Sequence, residues 1–173
     1  MRSLLWILLA IALSLLTVNC SANKLQKHSS NLNLQTIDGE EMFVGDVGYT
    51  EIISHFEDWR EADANAAVSQ ALVARVKRIS EPVEVVCYLG TWCSDSRHGV
   101  PPFVRALNAA KNPNITLKII AVNRAKTDPL RAANDIQRVP TFILKQKGKE
   151  IARMIELPMQ DNFVQDFLMI MGN

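Results

Sequence analysis

The chain has 173 residues, 48% of them hydrophobic and 21% charged, with a formal net charge of +1 at pH 7. That length and apolar fraction suit one compact domain with extra segments. Near-neutral charge leaves no electrostatic footprint for nucleic acid and no large acidic or basic partner surface.

Residues 1–22, "MRSLLWILLAIALSLLTVNCSA", hold one basic residue, an apolar run over 4–16 and then small and polar residues, the layout of an export signal. The run is short for a membrane span, which needs about 20 residues, so the segment is set apart from the fold. Two modes of processing compete. "LTVNC" resembles a bacterial lipobox, with a signal over 1–19 and Cys20 lipidated as a membrane anchor, although Asn19 stands where that pattern has Gly, Ala or Ser. The other mode is ordinary cleavage after Ala22. Either one exports the protein, to a bacterial periplasm or to the cell-envelope membrane through a lipid, where disulfides form and persist. Of Cys20, Cys87 and Cys93, the exported domain then keeps the last two. That is too few for a disulfide-stapled scaffold and points to thiol chemistry.

Residues 23–33 read as a polar tether, and 34–80 as a mostly helical N-terminal extension. Within it, "LQTIDGEEMFVGDV" offers short β-prone pieces broken by Gly39 and Gly45 and reads as irregular, with one small strand at most. Thr50 is the expected N-cap of a helix through "EIISHFEDW". A second helix through "ANAAVSQALVARVKRI" sets Ala67, Val68, Leu72, Val73, Val76 and Ile79 on one face. Both helices read as a lid or flank of a core that starts later. Trp59 reads as packing of the first helix, and His55 as a surface or satisfied histidine.

The core is expected over 81–173. "VEVVCYLG" has the pattern of a strand buried on both faces, and "ITLKIIAVN" of a second. Between them "RHGVPPFVRALNAA" reads as a helix that Pro101 and Pro102 should kink or interrupt. A short helix near 127–136 follows, then a hairpin of "TFILKQ" and "EIARMIEL" turning at Lys147 and Gly148. A last helix carries Phe163, Phe167 and Ile170 at helical spacing. This order predicts an α/β architecture, a central mixed sheet with a parallel centre and an antiparallel edge, flanked by helices.

"LGTWCSDSR", residues 89–97, puts a Trp-Cys pair at a strand-to-helix turn. Pro101 follows Ser96 by five residues, and "RVPTF" leads into the hairpin. Together, at these spacings, they resemble the thioredoxin family over about 82–173, with a WCxxS monothiol variant of its active-site motif. The resemblance implies a thioredoxin-like fold and a cis Val139–Pro140 bond facing Cys93. It also implies that Trp92 shields the sulfur and that substrate lies along Trp92, Val139 and Pro140.

The chemistry asks for these residue types. A thiolate is the nucleophile of disulfide exchange, and a helix N-terminus favours it by turning unpaired N–H groups and the positive dipole end toward the sulfur. Cys93 stands where that helix should begin and is the expected nucleophile. Ser96 takes the place of the second thiol. Its hydroxyl can donate a hydrogen bond to the thiolate, but it cannot release a mixed disulfide. Asp95 disfavours a nearby thiolate while Arg97 and His98 favour it, and all three also fit as solvated helix-start residues. Cys87 occupies the position of a buried carboxylate found in many thioredoxins. It reads either as a resolving thiol beneath the turn or, better, as a small hydrophobe. Cys93 and His98 make at most two metal ligands, with no second pair at metal spacing, so no metal or other cofactor is expected.

The expected function is therefore an exported monothiol thiol-disulfide oxidoreductase, whose partners are protein or low-molecular-weight thiols and disulfides. The alternative is a redox-inactive binding module of the same fold at the cell envelope. A peroxide-reducing thiol fits less well, because "CYLGTWC" lacks the Pro and Thr of the peroxiredoxin pattern. No feature of the sequence fixes an oligomeric state.

Overall fold

The computed structural model describes residues 34–125 and 128–172. The export segment, Cys20 and the tether lie outside these residues. β1 (Leu34–Ile37) and β2 (Glu40–Phe43) form an antiparallel hairpin of their own. The other strands make one five-stranded sheet in the order β3 (Gly45–Asp46), β5 (Ile115–Ala121), β4 (Val83–Leu89), β6 (Thr141–Gln146), β7 (Lys149–Ile155). β4 and β5 run parallel, linked by the long helix α4 (Ser94–Ala110), because parallel neighbours need a crossover. β3, β6 and β7 join antiparallel, and β6 turns tightly into β7 through Lys147 and Gly148, both at positive φ. The mixed sheet with its parallel centre is the architecture the element order predicts.

Alternation along β4 divides the interior in two. Val85, Cys87 and Leu89 point into a cluster with Phe103 of α4, Phe142 of β6 and Phe167 of α6 (Phe163–Ile170). The rings interlock there: Phe103 lies 4.7 Å from Phe142 and 5.6 Å from Phe167, at tilted and edge-on angles. Val86 and Tyr88 point the other way, into a smaller cluster with Val122, Ile136, Val139 and Ile143, against which Trp92 and Cys93 pack.

Three helices precede β4: α1 (Tyr49–His55), α2 (Glu57–Asn65) and α3 (Gln70–Lys77). Their apolar residues Ile52, Trp59, Val73 and Val76 belong to the larger cluster, so this segment is part of the core and not a lid upon it. The local detail departs from expectation. Gly48, not Thr50, caps α1, and the Glu51 carboxylate accepts the Gly48 N–H at 2.8 Å. The single helix through "EIISHFEDW" breaks at Phe56, whose backbone is extended and whose ring stands edge-on to Phe43 and His55. The second expected helix, through "ANAAVSQALVARVKRI", begins only at Gln70, which leaves Ala67 exposed outside it.

Two further expectations are corrected. Pro101 and Pro102 do not interrupt α4, because the contacts of Val100, Phe103, Val104 and Ala106 with the core outweigh the hydrogen bonds that two prolines remove. Neither central strand is buried on both faces throughout: Glu84 of β4 is exposed, and in β5 Thr116 and Lys118 alternate with the inward residues. The smaller cluster has only α5 (Pro129–Ala132) as helical cover among the described residues, so the far end of that sheet face stays wet.

Candidate active site

β4 ends at Leu89, and the chain turns through Gly90, Thr91 and Trp92 into Cys93, the extended N-cap of α4. The turn closes with the Cys93 N–H donating to the Gly90 carbonyl at 3.0 Å, and α4 starts with the Arg97 N–H donating to the Cys93 carbonyl, also at 3.0 Å. A Cβ on Gly90 would lie 2.5 Å from the Trp92 ring, so only glycine lets the indole fold back over the turn. Trp92 Nε1–H donates to the Val122 carbonyl at 2.9 Å, and the Arg124 guanidinium sits 4.5 Å from the ring centre. Arg124 is itself held by both oxygens of Glu40, at 2.9 and 3.0 Å, which ties the β1–β2 hairpin to the active-site tryptophan.

The Cys93 sulfur is half-buried, and its thiol donates to the Val139 carbonyl at 3.3 Å. The Val139–Pro140 bond is cis. Cys93 and Trp92 therefore pack on the cluster that holds Val139, beside the cis bond that the family resemblance implied. Ser96 is fully buried, and its Oγ accepts the Gly90 N–H at 3.3 Å, fastening the first turn of α4 to the end of β4. The charged neighbours are engaged elsewhere. Arg97 forms an ion pair with Asp58 of α2, and His98 Nδ1 lies 2.7 Å from the Ser94 carbonyl. A carbonyl only accepts, so Nδ1 carries a proton. Asp95 lines a pocket shared with the segment between β7 and α6.

Cys87 is wholly buried, opposite Ile119 of β5 and Phe142 of β6, and burial pushes its thiol pKa far up. It packs in the larger cluster while Cys93 packs against the smaller one, and both are free thiols.

Sequence reasoning missed the supports of this turn. The Thr91 carbonyl accepts Trp59 Nε1–H at 2.8 Å, and the Thr91 hydroxyl oxygen accepts the Phe43 N–H at 3.2 Å. Trp59 is thus core packing, as expected, and also a clamp on the residue two before Cys93. Arg131 is a buried guanidinium that donates to four carbonyls: Ile136 at 3.0 Å, Asn123 at 3.3 Å, Arg124 at 3.4 Å and Gln137 at 2.8 Å. It pins the segment bearing Arg124 to the segment that runs into Val139. A lone Arg in a short polar helix gives no hint of this, since most arginines are solvated. His55 is exposed and paired with Glu41, in line with its reading as a satisfied surface residue. No group of three or more His, Cys, Asp or Glu converges among the described residues.

No curated protein matches the chain. Among solved structures, a Pseudomonas aeruginosa protein of unknown function aligns at 19% identity with a TM-score of 0.52, covering 72% of this chain and 84% of that one. An HIV epitope scaffold aligns at 19% identity and TM-score 0.50, with the same 72% and 84% coverage. Fasciola hepatica thioredoxin aligns at 21% identity and TM-score 0.40, covering 60% of this chain and 94% of its own. Family and fold together suggest a thiol-disulfide oxidoreductase-like function. The family described as Thioredoxin matches residues 49–169, from the start of α1 almost to the end of α6, and the chain belongs to the thioredoxin family.

Proposed function

We propose that the protein is an exported thiol-disulfide exchange protein of the monothiol kind, with Cys93 as its nucleophile. The observation that carries this reading is the Cys93 sulfur at the N-cap of α4, half-exposed and 3.3 Å from the Val139 carbonyl beside Pro140. The Cys93 thiolate attacks one sulfur of a substrate disulfide, forming a new S–S bond. The substrate's other sulfur leaves as a thiolate and takes up a proton. Dithiol enzymes finish with their own second thiol, but here the corresponding side chain is the Ser96 hydroxyl. Cys87 is a poor substitute, buried in the other cluster with its proton held tightly. The mixed disulfide therefore waits for an external thiol, of protein or glutathione type, whose thiolate attacks the mixed disulfide and returns Cys93 to the reduced state. Substrate backbone lies along Val139, adding to the exposed side of the turn as a strand adds to an edge. Export rests on residues 1–22, and lipidation at Cys20 would hold the domain at the envelope membrane.

The test is exchange with a mixed-disulfide peptide in the presence of excess glutathione. Cys93→Ser is expected to fall to the uncatalysed rate. Ser96→Cys is expected to release substrate without added thiol, by closing a disulfide with Cys93. Wild-type protein that shows no exchange, while partner capture survives Cys93→Ser, would identify a binding module instead.

A further inference from the structure

A cavity of about 260 Å³ opens between the first turns of α4 and the 156–163 segment. Its floor is apolar, built from Pro102, Leu157, Pro158 and Phe163. Phe163 reaches this position because residue 99 is glycine: a Cβ there would lie 2.6 Å from the Phe163 ring. Leu157 is 66% exposed and Met159 70%, so the apolar floor continues outward as a surface open to a partner.

The rim is acidic in a protein whose formal net charge is +1. Glu156 is neutralised by Arg138. Asp95 and Asp161 are not so neutralised: the Asp161 carboxylate accepts only from Gln165 Nε2, at 3.2 Å, and that of Asp95 has no partner among the described residues. Just behind them the Asp166 carboxylate, itself buried, accepts the N–H groups of Met159 and Gln160 at 2.7 and 2.8 Å. The N-termini of α4 and α6 bring about half a positive charge each, which offsets one of these three carboxylates and leaves the mouth negative. His98 lies on the same rim, with Nδ1 held on the Ser94 carbonyl.

We propose that this pocket is a subsite for a cationic side chain, Lys or Arg, carried by the disulfide-bearing polypeptide that Cys93 attacks. The inference rests on the monothiol reading for its substrate and names that substrate's class. The methylenes of a Lys or Arg lie on Leu157 and Pro102 while the head group stays at the wet rim between Asp95 and Asp161. Asp95 is two residues from the nucleophile, so the cationic residue is close in sequence to the substrate cysteine.

The test separates binding from exchange. Acetylated, amidated octapeptides with a central Ser, differing only in Lys, Ala or Glu on both flanks, are titrated into the Cys93→Ser protein by calorimetry. The Lys peptide is expected to bind about fivefold tighter than the Ala peptide, the yield of one good exposed ion pair, with the Glu peptide weakest. High salt and Asp161→Asn should each erase most of that difference, and Leu157→Ser should weaken the Lys peptide more than the Ala peptide, which has no methylenes to lie on that side chain. Equal affinities, or a Lys preference untouched by Asp161→Asn, would overturn the subsite. If the Lys preference is present but the native protein fails to exchange the matching Cys-peptide disulfides, the pocket stands and the monothiol reading falls.

Discussion

Cys87 and Cys93 lie six residues apart on one stretch of chain and differ in almost every physical respect. Cys87 sits in the middle of β4, between β5 and β6, on the side that faces α4 and α6. Cys93 has left the strand, caps α4 and packs against the smaller cluster with its thiol on the Val139 carbonyl. Strand alternation decides the first and the strand-to-helix turn decides the second. Backbone position sets the surroundings of each thiol, and the residue type alone says nothing of them.

The strongest way to break that comparison is to label both thiols. In the native protein at neutral pH, iodoacetamide followed by mass spectrometry is expected to find Cys93 alkylated and Cys87 protected by at least about a thousandfold. Reaching Cys87 means opening the central strand, and the cost approaches the stability of a domain, about 5–15 kcal/mol, with each 1.4 kcal/mol worth about tenfold. Similar rates at the two thiols would show that β4 is not the rigid centre of the fold.

A smaller effect sharpens the comparison from the Cys93 side. Arg131→Lys keeps the charge but has no fork with which to hold carbonyls of two segments at once. Leaving buried carbonyls unpaired costs about 1–3 kcal/mol, measured as a lower urea midpoint. If Arg131 also positions the site, Trp92 emission and the Cys93 alkylation rate shift with it, because Asn123 and Arg124 lie beside Trp92 and Gln137 leads to Val139. A lowered midpoint with unchanged Trp92 emission and unchanged Cys93 rate would reduce Arg131 to a purely structural residue.

How much of this was legible in the sequence follows from the range of each interaction. The strands β4 to β7, the hairpin and the last helix were readable from local period and turn chemistry. The meeting of Cys93 with Val139 followed from the family resemblance, while the two-residue β3 was too short to announce itself. The helices before β4 were readable as helices but not as core, since Ile52 and Trp59 find their partners across the chain. The break at Phe56 was hidden for the same reason: its cause is the ring of Phe43, on another element. The clamps on the site were hidden most deeply. Trp59 meets Thr91, 32 residues away, and Glu40 meets Arg124, 84 residues away, with ordinary residue types at every position.

The finest test of the comparison is thermodynamic, and it turns on the Cys87 proton. Burial raises the Cys87 pKa in the folded chain, so folding favours the protonated thiol. Such a group contributes its full stability below the unfolded pKa, about 8.5, and loses it as the pH climbs from there toward the folded value. Tyr49, raised first by burial and then by its hydrogen bond to the Asp63 carboxylate, adds a similar loss that starts only near its own unfolded pKa of about 10. Between those two points the fall due to Cys87 approaches about 1.4 kcal/mol per pH unit. Cys87→Ala removes that slope at the cost of a small cavity, about 1 kcal/mol at neutral pH. The variant is therefore expected to be less stable than wild type at pH 7 and to overtake it at about pH 9, because every other titrating group is common to both. Urea midpoints across this range decide the matter. Parallel curves for the two proteins would mean that the Cys87 thiol is not held in the dry interior on which the contrast with Cys93 depends.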